Sequence, residues 1–128
     1  MLHTITANLM VESVEDSLNF YKTVLGFTEV ASIPNEKGKL QFAIVEKDTQ
    51  KLMFQERENL GEEYLILATE KVKPSISLFL MVDDFSDFRK EVQSRTKLLV
   101  EEHTTFYGTK EFAIADNSGY VITVAEKV

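Results

Sequence analysis

"SVEDSLNFYKTVLGF", residues 13–27, carries both ends of a helix in its sequence. Ser13 suits an N-cap, and Asp16 stands three residues on, where a capping-box carboxylate reaches back. Val14, Leu18, Tyr21 and Leu25 recur at helical spacing, and Gly26 can take the left-handed conformation that closes a helix. Upstream, "HTITANLMV" (3–11) alternates like a strand, with Ile5, Ala7, Leu9 and Val11 on one face and Thr6, Asn8 and Met10 on the other. Downstream, "FTEVASI", "KLQFAIVEK" and "KLMFQER" read as three further strands separated by "PNEKGK" and "KDTQ". The order is β-α-β-β-β.

The same order then returns. After the connector "ENLGEEYLILATEKVKP", "SISLFLMV" reads as a strand with Ile76, Leu78, Leu80 and Val82 on one face. "DDFSDFRKEVQSR" reads as a helix capped by Asp84, burying Phe85, Phe88 and Val92. "KLLVEEHTT", "KEFAIAD" and "YVITVAE" supply three more strands, with a tight turn at Asp116-Asn117-Ser118-Gly119. A βαβββ unit therefore occurs twice, and such units pair so that each covers what the other leaves open. The expected fold is α+β: one domain over 1–128, with module 1 at about 1–58, a connector at about 59–73 and module 2 at about 74–128. The two modules are expected to form a cup-shaped half-barrel sheet with the helices outside.

Composition narrows the function. The 128 residues are 44% hydrophobic and 27% charged, values of an ordinary globular domain. No apolar run approaches the ~20 residues of a membrane span, and the N-terminus has no basic region followed by a long apolar stretch, so neither membrane nor secretory signal is expected. A cytoplasmic protein is the resulting expectation. There are no cysteines, which excludes disulfides, thiolate metal sites and a cysteine nucleophile. The balance of 21 acids against 14 bases, net −7, disfavours nucleic acid and suits a cationic ligand, although it also serves solubility.

"VEDSLNFYKTVLGF" and "TTFYGTKEFAIADNSGYVITVAE" together resemble motifs of the vicinal oxygen chelate superfamily, which includes glyoxalase I, fosfomycin-resistance enzymes, extradiol dioxygenases and bleomycin-resistance proteins. The resemblance covers nearly the whole chain. Where that family carries a proline after the turn aspartate, this chain has Asn117. Asp116 itself reads as a turn-former rather than a catalytic acid. The resemblance implies four metal-ligand positions, matched here by Thr6, Gln55 (or Phe54 if the register slips), Ser75 and Thr123. Transition metals need imidazole or carboxylate donors at about 2.0–2.2 Å, which these side chains do not offer. Of the two histidines, His3 is expected on the opposite strand face from Thr6, and His103 lies outside all four positions. No metal and no other cofactor is expected.

The cup is then expected to bind a ligand through Thr6, Asn8, Met53, Gln55, Ser75, Ser77, Phe79, Tyr107, Glu111 and Thr123, with Met10, Met81 and Val121 beside them. Tyr107 can stack on a flat ligand or pack over the hairpin. Glu111 can pair with a cation, act as a base or be solvated. Three functions are open. The first is metal-independent binding of a small, flat or cationic organic ligand, as in bleomycin-resistance-like sequestration or sensing. The second is a glyoxalase-like lyase or isomerase, or another small-molecule enzyme, using Glu111, His103 or Tyr107 without the family metal. The third is a structural or regulatory partner domain. The resemblance also implies a homodimer.

Overall fold

A computed structural model describes residues 1–128. The chain divides into two compact units, Met1–Val72 and Lys73–Val128. The first contains β1 (Asn8–Val11), α1 (Val14–Thr23), β2 (Thr28–Pro34), β3 (Leu40–Lys47), β4 (Gln50–Glu56) and α2 (Arg57–Glu63), followed by a 3-10 turn at Leu65–Leu67. The second contains β5 (Ser77–Met81), α3 (Phe85–Gln93), β6 (Val100–Thr104), β7 (Thr109–Ala115) and β8 (Val121–Lys127). Each unit builds its own four-stranded mixed sheet, ordered β1-β4-β3-β2 in the first and β5-β8-β7-β6 in the second. In each, the strand before the helix pairs in parallel with the last strand, and the other pairings are antiparallel. The repeated βαβββ order is thus two copies of one α+β module.

Helix α1 forms as its sequence suggests. Ser13 Oγ accepts the Asp16 N–H at 3.1 Å, which satisfies one of the free donors of the first turn. At the other end Gly26 has φ +78°, and the Phe27 N–H bonds back to the Tyr21 carbonyl at 2.9 Å. That reversal needs a residue tolerant of the left-handed region. Val14, Leu18, Tyr21 and Leu25 are all buried, while Phe20 is only half-buried. The Tyr21 ring lies 4.8 Å from that of Phe54 and 5.6 Å from that of Phe27, centroid to centroid. In the second unit Phe85, Phe88 and Val92 bury one face of α3, with Phe85 edge-on to Phe112 at 5.4 Å.

Three local expectations change. Strand β1 begins only at Asn8, so His3 and Thr6 precede it and the alternation argument does not reach His3. Ile5 is 90% exposed instead of lying on a buried face. Parallel pairing starts at Asn8↔Met53, and earlier residues would have to pair beside the tight β3–β4 turn, where Asp48 and Thr49 both have positive φ. Likewise β5 begins at Ser77, which leaves Ser75 and the 48%-exposed Ile76 outside it. Asp84 occupies the cap position of α3, but its side chain makes no capping bond.

The stretch expected as a connector is partly ordered into α2. Its cap is Glu56, whose carboxylate accepts the N–H groups of Glu58 at 2.8 Å and Asn59 at 3.1 Å. Gly61 is in the interior of this helix because a Cβ there would sit 3.1 Å from the Ala68 Cα. The helix and its exit strap approach that closely. A second tie holds the strap: Arg57 donates to Glu12 Oε1 at 2.8 Å and to the Thr69 carbonyl at 2.8 Å, while Glu12 Oε2 accepts the Val72 N–H at 3.1 Å.

Candidate functional site

Strand β4 decides the register left open by the sequence. Phe54 is fully buried against Tyr21, so Gln55, its neighbour, faces the other side of the sheet. There Gln55 forms the floor of a concave cavity of about 370 Å³ in the first unit, lined by β-strand and α2 side chains. It is only 6% exposed and is held on three sides. Asn8 Nδ2 donates to Gln55 Oε1 at 2.8 Å, and Gln55 Nε2 donates to Asn59 Oδ1 at 2.7 Å and to Glu63 Oε1 at 2.8 Å. Asn59 Nδ2 continues the chain to Gln41 Oε1 at 3.3 Å. Ile33, Phe42 and Tyr64 complete the walls. The volume lies in the range of small-molecule sites, and five of the eight lining residues are polar, so this open pocket offers more hydrogen-bonding groups than the usual mostly apolar site.

Of the residues expected in a ligand site, Asn8 and Gln55 line this cavity and bond to each other. Met53 lies beside Asn8 in the β1–β4 register and is half-buried, as is Thr6 ahead of β1; neither lines the cavity. Gln41, Phe42, Asn59, Glu63, Tyr64 and Ile33 were missed. The usable signal was the i,i+4 spacing of Asn59 and Glu63, which puts both on one face once 57–63 is read as a helix.

In the second unit, Ser75, Ser77 and Phe79 are exposed, and Thr123 is half-buried on β8, paired in register with Phe79. Tyr107 and Glu111 come together: the Tyr107 hydroxyl donates to Glu111 Oε2 at 2.6 Å. Thr109 Oγ1 donates to the same oxygen at 2.8 Å and lies 2.7 Å from Thr105 Oγ1. Glu111 is 5% exposed, so a solvated glutamate is not what this position holds. The bond to Glu111 raises the Tyr107 phenol above its usual value, with desolvation acting in the same direction. His103 is exposed on β6, its Nδ1 3.0 Å from the Glu101 carbonyl oxygen. Asp116 is the turn-former expected: its Oδ1 accepts the N–H groups of Ser118 and Tyr120, each at 2.9 Å.

The family model of the Glyoxalase/Bleomycin resistance protein/Dioxygenase superfamily matches residues 2–124. The chain belongs to that superfamily. Solved structures share the fold at low sequence identity. TioX from Micromonospora sp. ML1 has a TM-score of 0.81 at 12% identity, with 98% of this chain and 99% of that one covered. A glyoxalase/bleomycin resistance protein/dioxygenase from Nocardioides has a TM-score of 0.81 at 16% identity, covering 100% and 85%. An integron cassette protein from V. cholerae has a TM-score of 0.69 at 23% identity, covering 98% and 95%. No curated protein matches the sequence significantly. Membership of the glyoxalase/bleomycin-resistance superfamily supports a role in binding or transforming a small molecule. No helix is long and apolar enough to cross a membrane.

The metal that many members of this superfamily use does not fit the residues present. Thr6 and Ser75 precede their strands, Gln55 is committed to Asn8, Asn59 and Glu63, and Thr123 offers a neutral hydroxyl. No three His, Asp or Glu side chains converge to hold an ion. Hydroxyls and amides alone do not compete with water for zinc, nickel or iron.

Proposed function

We propose that the protein binds a small organic ligand in the cavity of its first unit, without a transition metal, in the manner of a sequestering or sensing member of its superfamily. The observation that carries this reading is the buried Gln55 amide at the floor of the 370 Å³ cavity, pre-set by Asn8, Asn59 and Glu63. Such a network is rigid before the ligand arrives, which lowers the ordering cost of binding. Phe42 and Tyr64 favour a flat molecule. Isothermal calorimetry against a panel of flat organic compounds, run with and without chelator, tests the proposal. Saturable binding is expected, unaffected by chelator and weakened about tenfold or more in Gln55→Leu, which strands three polar partners. Binding that chelator removes and added metal restores would refute metal independence.

A second reading, an acid–base enzyme, is favoured by one observation: the 2.6 Å bond between Tyr107 Oη and the buried Glu111 carboxylate. A carboxylate and phenol so paired can pass a proton. Turnover of a bound compound, lost in Tyr107→Phe, would establish it over simple binding.

We also propose a cytoplasmic homodimer as the working form.

A further inference from the structure

The side-chain amides around the cavity form a chain, Asn8–Gln55–Asn59–Gln41, and one carboxylate joins it at Gln55. An amide carries a donor and an acceptor of similar size, so a chain of amides alone can run in either direction. Glu63 removes that freedom. An ionised carboxylate only accepts, so the end of Gln55 lying 2.8 Å from Glu63 Oε1 must be its NH₂ group. That same NH₂ reaches Asn59, which therefore turns its oxygen to Gln55 and its own NH₂ to Gln41. On the other side the Gln55 oxygen is left to accept from Asn8. The polarity of four amides follows from one carboxylate.

Two chain ends remain for a ligand. Gln41 accepts at its oxygen, which turns its NH₂, a donor, away from the chain; Asn8 gives an N–H to Gln55, which turns its oxygen, an acceptor, the other way. The second oxygen of Glu63 is another acceptor on the same wall. We infer that the cavity selects a flat ligand by the polarity of its edge. It takes an NH-bearing group, such as the NH₂ of a carboxamide or an amidine, at Asn8 and Glu63; it takes a carbonyl at Gln41; and it rejects carboxylates. This rests on the small-molecule reading above. A carboxylate would bring acceptors against the Asn8 and Glu63 oxygens, with no proton on either side to share. The net charge of −7 opposes an anion as well, so the test must separate polarity from charge.

The experiment uses the full ¹⁵N-labelled chain and three probes with one ring and different edges: benzamide, benzamidine and benzoate. Titrations follow the side-chain NH₂ signals of Asn8, Gln41, Gln55 and Asn59. Benzamide and benzamidine are expected to shift these signals, with benzoate at least about tenfold weaker than benzamide. In Glu63→Gln the chain of amides can reverse, and the gap between benzamide and benzoate is expected to close by about tenfold. Glu62→Gln removes the same charge from the neighbouring exposed residue of α2 and should leave the gap unchanged. If no probe shifts the four signals, the cavity reading and this inference both fall. If benzoate binds as well as benzamide, or if Glu62→Gln narrows the gap as much as Glu63→Gln, the polarity inference alone is overturned.

Discussion

On residue type alone a glutamate belongs at the surface, and position 111 is occupied by a glutamate that is 5% exposed. Its burial is tolerated because Tyr107 and Thr109 both donate to Oε2, with Thr105 backing Thr109. The consequence is readable on the phenol. The carboxylate holds the Tyr107 proton, so this tyrosine titrates above its usual range. The sign for stability follows: a raised folded value favours the protonated phenol, so its contribution is complete below pH ~10 and is lost as pH rises through the folded value. Ultraviolet difference titration of the wild type against Tyr107→Phe should isolate this phenol as a component ionising above the usual tyrosine range. A difference component in the ordinary tyrosine range would mean the bond to Glu111 does not persist in solution.

Among the elements, α1 was legible because its signals are local: a serine cap, a helical apolar stripe and a terminal glycine act within one turn of the residues they control. The turn at Asp116 was legible for the same reason. Strand β1 was overextended because alternation does not show where pairing stops: residues 5–7 fall opposite the start of β4 and residues 3 and 4 opposite the turn at Asp48 and Thr49, yet the ladder begins only at Asn8. Helix α2 was hidden for a different reason. Its cap is a glutamate rather than the usual serine, threonine, aspartate or asparagine, and only Leu60 and Gly61 are buried along it. That omission concealed Asn59, Glu63 and Tyr64, three of the eight residues that line the cavity. What holds α2 is the Glu12–Arg57 clamp, which spans from the end of β1 to the strap at Thr69 and Val72. The Arg57 guanidinium, then the Val72 N–H, hold the Glu12 carboxyl below its ordinary range. A depressed acid stabilises the fold above its unfolded value near ~4.3, and that contribution is lost as pH falls through the folded value. Amide exchange over 57–72 should therefore accelerate below pH ~4 ahead of α1, and Glu12→Gln should show the faster exchange already at neutral pH. Uniform exchange across α1 and α2 in that variant would show that the clamp does not hold the helix.

Over the whole chain, the two units repeat one strand order but differ in chemistry. The position of Gln55 in the first, opposite Met10, is that of Thr123 in the second, opposite Phe79. Only the first has an amide network at that position, because only it is followed by a helix carrying Asn59 and Glu63. Both units leave apolar side chains in water. Ile5 is 90% exposed, Leu65 81%, Ile66 94% and Phe106 fully so, and each sheet ends in strands that are paired on one side only. Single exposed apolar residues are ordinary, but consecutive ones are what an isolated chain avoids and what an interface covers. The adjacent Leu65 and Ile66 are therefore expected to be covered by a second copy. Burying each of them contributes on the order of 1.5–3 kcal/mol, enough to matter in a standard interface of roughly 800 Å² per partner. Sedimentation velocity at micromolar concentration should report twice the chain mass, and Ile66→Asp should shift the equilibrium toward the single chain while leaving the circular dichroism spectrum unchanged. A wild type that sediments as a single chain at that concentration would remove the dimer.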